Sequence, residues 1–277
     1  MAIQGIEERM ARRVALEMYD PPWLAWANDA LWSGIRSALI TRGIDAPDRL
    51  ERGVTSAGFW RDRHLLLSQT CGYPFWTALR GEVQLVATPT YSAPGCDGPN
   101  YRSAILVRAD DPARVLADCA GYRPAVNARD SQSGHNALRA AVAPLSRDRS
   151  FLAPGRATGA HLASMQAVAA GYADIAAVDC VTHALIADAM PDLDASLRRI
   201  AWSPPAPGLP FITAASTSTE TLDALRAALH DVAEDPDFLE VRNALKLEGF
   251  VVLRDEAYAA VEVMEVASDA AGQPPLL

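Results

Sequence analysis

The sequence predicts an α/β protein of two lobes, each a central sheet flanked by helices, with two hinge crossings between them. Three observations predict this. Short apolar runs of strand length alternate with segments of helical period, the pattern of parallel sheets covered on both faces. Two proline- and glycine-rich breaks, Pro89 to Asn100 and Ser203 to Gly208, bracket the middle of the chain. Half of the 277 residues are hydrophobic, enough to bury a sizeable core. The simplest organisation is a discontinuous first lobe, residues 1–99 plus 203–277, with a second lobe, residues 100–202, inserted in it.

The elements follow in order. Val14 to Tyr19 is a short, mostly apolar run of strand length. Asp20 can cap the next helix, with Pro21 and Pro22 in its first turn, and Leu24, Leu31, Ile35 and Leu39 recur at helical spacing until Gly43. Leu65 to Ser68 reads as a buried strand, a helix starts near Tyr73 and Pro74, and Gln84 to Thr88 is a third strand. Beyond the first break come a strand at Ser103 to Arg108, a strand at Pro124 to Asn127 and a helix from Gly134. A strand near Phe151 then precedes a helix from Ala160 to Ala170, and a strand at Asp174 to Val178 precedes a helix from Val181 to Met190. After the second break, Pro210 to Thr213 is strand-like and Glu220 to Ala233 helical.

Composition excludes several function classes. The chain carries 25 basic and 34 acidic residues, a net charge of −9, and its only lysine is Lys246. Such a chain has no basic block with which to grip nucleic acid or an anionic membrane surface. A small anionic ligand remains compatible, because a few oriented N–H groups hold one against the net charge. Four cysteines (Cys71, Cys96, Cys119 and Cys180) are too few for a disulfide framework, and neither they nor the five scattered histidines have zinc spacing. No metal and no cofactor is expected. Met1 to Arg13 carries Glu7, Glu8, Arg9, Arg12 and Arg13, which interrupt the apolar run of a secretory signal, and no membrane-spanning run follows. As written the chain is expected in the cytoplasm, without membrane insertion; a periplasmic address would require a longer N-terminus.

Four turns between strands and helices can carry chemistry. Ser68-Gln-Thr-Cys-Gly-Tyr-Pro74 sets hydroxyls, an amide and an aromatic before a helix, where free N–H groups favour an anion. Arg129 to Asn136 brings Ser131 and Ser133 to a helix start, with Gly134 allowing close backbone approach. It is no Walker loop, since no Gly-Lys-Ser/Thr follows. Ala157 to Ser164 offers Thr158 as a cap and His161 in the first helical turn. Asp179 ends an apolar strand; it serves either as a helix cap or as a carboxylate for a cationic ligand group. Each turn has an ordinary capping explanation beside the functional one.

Taken in order, SQTCGYP, PTYSAPGCDGPNYRS, VNARDSQSG, TGAHLAS and AAVDCVT resemble the phosphate/phosphonate-type substrate-binding proteins of ABC transporters. The resemblance runs from about Val14 to the C-terminal helices. It implies a type-2 periplasmic-binding-protein fold that closes on a small oxyanion in an interlobe cleft, and an ABC permease as partner if the protein is exported. It also implies oxyanion contacts from Ser131, Ser133, Gly134, Thr158 and His161, with Asp179 as candidate for a ligand amine. Tyr19 and Tyr73 are expected as walls at first-lobe strand ends, with Gln69 and Thr70 beside them. The binder reading competes with a cytoplasmic biosynthetic enzyme on the same fold and with a ligand-sensing regulatory subunit. No activated nucleophile supports the enzyme: Cys71 at a helix start could have a lowered pKa, but no base partner can be assigned. Cys71 and Cys96, both following first-lobe strand ends, are expected close together.

Overall fold

A computed structural model describes residues 12–54, 56–146 and 150–277. The reading of Met1 to Arg13 as free of a signal falls almost wholly outside the described residues. The strands are β1 (Arg13–Ala15), β2 (Leu65–Gln69), β3 (Val83–Tyr91), β4 (Asn100–Tyr101), β5 (Ser103–Arg108), β6 (Pro124–Val126), β7 (Arg156–Ala157), β8 (Ile175–Asp179), β9 (Leu197–Trp202), β10 (Ala206–Pro207), β11 (Phe211–Ala214) and β12 (Leu247–Val251). The α-helices are α1 (Ala25–Thr41), α2 (Ala57–Trp60), α3 (Gly72–Thr77), α4 (Ala137–Val142), α5 (His161–Ala169), α6 (Cys180–Ala189), α7 (Pro191–Ala195), α8 (Thr219–Glu234), α9 (Leu239–Ala244) and α10 (Ala259–Ala270). No described helix is long and apolar enough to cross a membrane.

The chain divides into two units. The first contains residues up to Thr70, Leu79–Pro89 and Leu209–Arg254; the second contains Cys71–Ala78, Thr90–Gly208 and Asp255–Leu277. This differs from the expected division. The inserted segment is longer than 100–202, and the C-terminal residues belong to the second unit rather than the first.

The first unit is built on a sheet of order β1-β2-β11-β3-β12. β1 runs parallel to β2, while β11 is antiparallel to both β2 and β3, so the sheet is mixed rather than parallel as expected. α1 buries Ala27, Leu31, Trp32, Ile35 and Leu39, residues that recur on one face at helical spacing. Gly34 on α1 allows close packing, because a Cβ there would sit 2.4 Å from the Phe238 ring. α1 ends at Thr41, and Gly43 takes a left-handed φ of 76° while its N–H reaches the Ile40 carbonyl. Asp20 does not cap α1. Its carboxylate accepts from Arg52 Nε (2.5 Å) and Asn28 Nδ2 (3.0 Å) instead, and a 3-10 turn at Pro22–Leu24 leads into the helix. α8 is capped by Ser218, whose Oγ accepts from the Thr221 N–H, and it buries Leu225, Ala228, Leu229 and Val232.

The second unit carries a sheet of order β7-β6-β8-β5-β9. β6 is parallel to β7 and β8, whereas β5 is antiparallel to β8 and β9. Ile105, Val107, Val126, Leu138, Val142, Ile175 and Leu276 meet in its core. No strand forms among the described residues near Phe151. The chain there makes isolated contacts, Gly121 N–H to the Phe151 carbonyl and Ala153 N–H to the Tyr122 carbonyl, and the strand forms later at Arg156–Ala157. A separate two-stranded ribbon pairs β10 antiparallel to β4, Ala206 opposite Tyr101.

Buried hydrogen bonds explain why the C-terminal segment belongs here. The Arg139 side chain on α4 is 2% exposed and pairs with Asp269. It also donates to the carbonyls of Gln273 (2.7 Å) and Pro274 (3.2 Å). Asn136 Nδ2 donates to the Val261 carbonyl on α10 (2.8 Å), and the Leu276 N–H donates to His135 Nε2 (3.1 Å). A buried guanidinium is stable only with its donors satisfied, so these partners hold the C-terminal segment in place.

Candidate functional site

Three strands of the second unit, β6, β7 and β8, run parallel, so their carboxyl ends lie at one edge of the sheet. Each of these ends turns into the next structured segment. Asn127 follows β6, Thr158 follows β7, and Asp179 closes β8. The first two turns are tied together by backbone: the Thr158 N–H donates to the Val126 carbonyl (2.9 Å) and the Gly159 N–H to the Asn127 carbonyl (3.0 Å).

Ser131 is extended (φ −82°, ψ 125°) and caps the segment that follows, its Oγ accepting from the Gly134 N–H at 2.9 Å. The Asn136 N–H reaches back to the Ser131 carbonyl, which makes Gln132–Asn136 one widened π-type turn before α4. Such turns are frequent at functional sites. Gly134 is required by packing. A Cβ at this position would lie 1.8 Å from Asn127 Oδ1, so only glycine admits the Asn127 side chain.

Ser133 joins the two turns. Its Oγ lies 2.8 Å from His161 Nε2 and 3.5 Å from Ser131 Oγ. His161 is the first residue of α5, whose cap, Ala160, supplies no side-chain acceptor for the exposed N–H groups of that turn. Burial holds the His161 pKa down to about 4, so the ring is neutral in the physiological range.

Several buried polar atoms of this unit lack a partner among the described residues: His161 Nδ1, Asn127 Oδ1, Tyr101 Oη and Ser103 Oγ. The Tyr101 hydroxyl is pushed well above its ordinary pKa, first by burial and then by the nearby Cys71 and Asp179, so it stays protonated as a donor. Ser133 lies near enough to oppose that shift, yet no hydrogen bond of good geometry joins the two hydroxyls. Ser103 sits opposite Asp179 in the β5–β8 ladder. Buried donors and acceptors without partners are costly, about 1–3 kcal/mol each. His161 Nδ1, Asn127 Oδ1 against Gly134 and Tyr101 Oη near Ser133 are therefore positions where an added ligand recovers hydrogen bonding.

The expected residues fall into three groups. Ser131, Ser133, Gly134 and His161 come together as described. Thr158 stands next to them but does not cap α5: its Oγ1 lies 2.6 Å from Ser164 Oγ and 3.2 Å from the Val126 carbonyl, fastening the turn to the helix. Asp179 is 2% exposed and caps α6, its Oδ1 accepting from the N–H groups of Val181 (2.8 Å) and Thr182 (2.9 Å). Tyr73 lies in the second unit rather than the first, where its hydroxyl donates to Glu265 at 2.8 Å. Tyr19, Gln69 and Thr70 lie in the first unit and are buried. Gln69 Nε2 donates to the Leu209 carbonyl, and the Tyr19 carbonyl accepts from Asn28.

Sequence reasoning did not single out Tyr101, Ser103 or Asn127. Tyr101 and Ser103 come just after the first proline- and glycine-rich break, and Asn127 is the polar residue directly after the buried strand β6. Cys71 is corrected as a reactive thiol, since burial raises its pKa instead of lowering it. The sulfur in contact with Cys96 is that of Cys180, at 3.4 Å, and Cys71 Sγ instead accepts from the Gln132 N–H.

Comparisons with known proteins agree with this architecture. PhnD1 from Prochlorococcus marinus, solved in complex with methylphosphonate, superposes with a TM-score of 0.73 at 11% identity, over 94% of this chain and 98% of that one. A binding protein component of an ABC phosphonate transporter from Pseudomonas aeruginosa gives 0.72 at 16% identity, over 94% and 87%. A Xanthomonas citri protein bound to chloride ion gives 0.69 at 15% identity, over 94% and 98%. These likenesses establish a type-2 periplasmic-binding-protein fold. A search of curated proteins found no match. The profile of the family described as "ABC transporter, phosphonate, periplasmic substrate-binding protein" matches residues 64–258. With over two thirds of its length matched, this chain belongs to the phosphonate-binding family of ABC-transporter substrate-binding proteins.

Proposed function

We propose that the chain binds a phosphonate or a phosphate ester through the oxyanion, and that Ser131, Ser133, Gly134 and His161 of the second unit hold it. The observation that carries this reading is the Ser133–His161 contact at 2.8 Å, joining two helix starts beside buried polar atoms that have no partner. Hydroxyl, imidazole and backbone N–H groups are the donors an oxyanion needs, and charge-assisted bonds to them are worth about 1.5–3 kcal/mol each. In this reading Tyr101 adds a hydroxyl, and Thr158 keeps the second turn in register. Delivery of the ligand to an ABC permease follows from the family's role and is part of the proposal.

Titration calorimetry with methylphosphonate, inorganic phosphate and a phosphate monoester tests the ligand class. Saturable binding of at least one, weakened by Ser133→Ala, is the expected result. A folded protein that binds none of them overturns the reading. Co-purification of the tagged protein with a permease complex tests the partner.

A further inference from the structure

We propose that Cys96 and Cys180 form a redox-active pair, a disulfide modification site distinct from the oxyanion contacts. Their sulfurs lie 3.4 Å apart, although 84 residues separate them in the chain. Both belong to the second unit. Closing to a disulfide of about 2.05 Å requires the sulfurs to approach by roughly 1.4 Å.

The surrounding backbone brings the two thiols together. Gly95 takes a φ of 106°, where a side chain is strained. A Cβ there would lie 2.7 Å from the Trp202 ring and 3.0 Å from Cys180 Cβ, so glycine lets this loop rest directly against Cys180. The Cys96 N–H donates to the Ala93 carbonyl, which fixes the thiol-bearing turn. On the other side, the Cys180 N–H donates to the Arg102 carbonyl, and Asp179 caps the helix that Cys180 begins. The two thiols differ in access: Cys180 is 1% exposed, whereas Cys96 is half-buried and reachable from solvent.

That asymmetry sets the order of chemistry with a small disulfide such as glutathione disulfide as oxidant. Cys96, as thiolate, attacks one sulfur of the oxidant; the oxidant's S–S bond breaks and one glutathione thiolate leaves and takes up a proton. Cys180 then loses its proton to solvent and attacks Cys96 Sγ. The mixed disulfide breaks and the second glutathione thiolate departs and is protonated. Two protein thiols are oxidised and one external disulfide is reduced to two thiols. The Cys180 thiol is held well above its ordinary pKa, by its contact with Cys96 and then by burial, so the second step is the slower one and accelerates with pH.

The remaining cysteines are internal controls. Cys119 is buried in the core of the second unit, and Cys71 Sγ accepts from the Gln132 N–H. In the experiment, the native full chain is incubated with glutathione disulfide, quenched with acid, denatured, alkylated and analysed by peptide mass spectrometry. The expected result is two protected thiols and a single linked peptide pair containing Cys96 and Cys180. Cys96→Ser and Cys180→Ser each lose the link, while Cys71→Ser keeps it. Wild-type protein melts about 5–10 °C higher when oxidised than when reduced, and the Cys96→Ser variant shows no such difference. Four alkylated thiols in the native wild type after exhaustive oxidation overturn the proposal, as does a link through Cys71 or Cys119. The wild-type measurement decides the matter even if a variant folds poorly.

Discussion

Replacing Ser133 by alanine removes the group that joins the two helix-start turns. In the free protein its Oγ contacts His161 Nε2 at 2.8 Å. The alanine variant loses one hydroxyl that the proposal assigns to the ligand and also leaves Nε2 without its partner. One charge-assisted hydrogen bond of about 1.5–3 kcal/mol corresponds to a roughly 10- to 150-fold weaker dissociation constant for methylphosphonate. The effect of His161→Ala should not add to it, because the two residues share one bond; a double-mutant cycle should return about 0.5–3 kcal/mol of coupling. pH separates binding from simple loss of structure. Free His161 titrates near 4, and an anion beside it raises that value. Between the free and the bound pKa, binding then takes up a proton, so wild-type affinity gains relative to His161→Ala as pH falls from 7 toward 5. The ligand's own ionisation is common to both proteins and cancels in the comparison. Calorimetry in two buffers of different ionisation enthalpy reads the proton uptake directly. An unchanged dissociation constant for Ser133→Ala, together with parallel pH profiles for wild type and His161→Ala, refutes the assignment.

Three further outcomes concern the frame around the site. Arg139→Leu should lower stability by about 3–5 kcal/mol in urea titration, because it strands the buried carbonyl of Gln273, loses the bond to the Pro274 carbonyl and releases the C-terminal segment; a loss below about 1 kcal/mol contradicts that role. Gly134→Ala should weaken methylphosphonate binding and cost about 1–3 kcal/mol in the same assay, since its Cβ would collide with Asn127 Oδ1; wild-type behaviour would show that Asn127 moves away freely. His135, held neutral down to about pH 4 by burial and accepting from the Leu276 N–H, binds its proton in the unfolded chain first. Unfolding free energy should therefore rise with pH between about 4 and 6.5, with roughly 1–3 kcal/mol of the rise from this group; His135→Asn should remove that share and leave the share of His161, which titrates in the same window.

Much of the fold was legible because buried strands are written as apolar runs. β5 spans the expected residues, and β2, α5, α6 and α8 differ from expectation by one or two. β9 and β12 escaped because they are only partly buried; Arg198 and Arg199 interrupt the first, and Glu248 the second. The placement of the C-terminal residues was not legible at all. It rests on Arg139 reaching carbonyls more than 130 positions away, and no local pattern encodes such a partner. At the site, the serine- and histidine-bearing turns were readable as helix starts, but the fate of each side chain was not. Thr158 and Asp20 look like caps in sequence, yet each finds closer partners elsewhere. His161 reads as a first-turn imidazole, and nothing in its position announces that burial holds it neutral in the physiological range. Tyr101 Oη and Asn127 Oδ1 matter because those two atoms are buried without a partner among the described residues, which only three dimensions reveal.

A neutral His161 also changes what the site can select. One proton lies between Ser133 Oγ and His161 Nε2, and the neutral ring carries one N–H. If Nε2 carries it, the ring donates to Ser133, the serine O–H is released toward a ligand, and Nδ1 is an acceptor. If Nδ1 carries it, Ser133 donates to Nε2 and the ring supplies the outward donor. In either tautomer the pair presents one donor at a time, so it suits one oxygen of an oxyanion rather than two. A ligand that keeps one acidic proton fits the first tautomer completely, giving its O–H to Nδ1 and accepting from Ser133. A fully ionised ligand fits the second, or draws a proton onto the ring. Tyr101, held protonated by burial, donates in both cases. Nitrogen NMR of His161 with and without methylphosphonate therefore distinguishes the modes: one tautomer in the complex marks a neutral ring, and two protonated nitrogens mark proton uptake. Chemical shifts that ignore the ligand, at saturation, would remove His161 from the site.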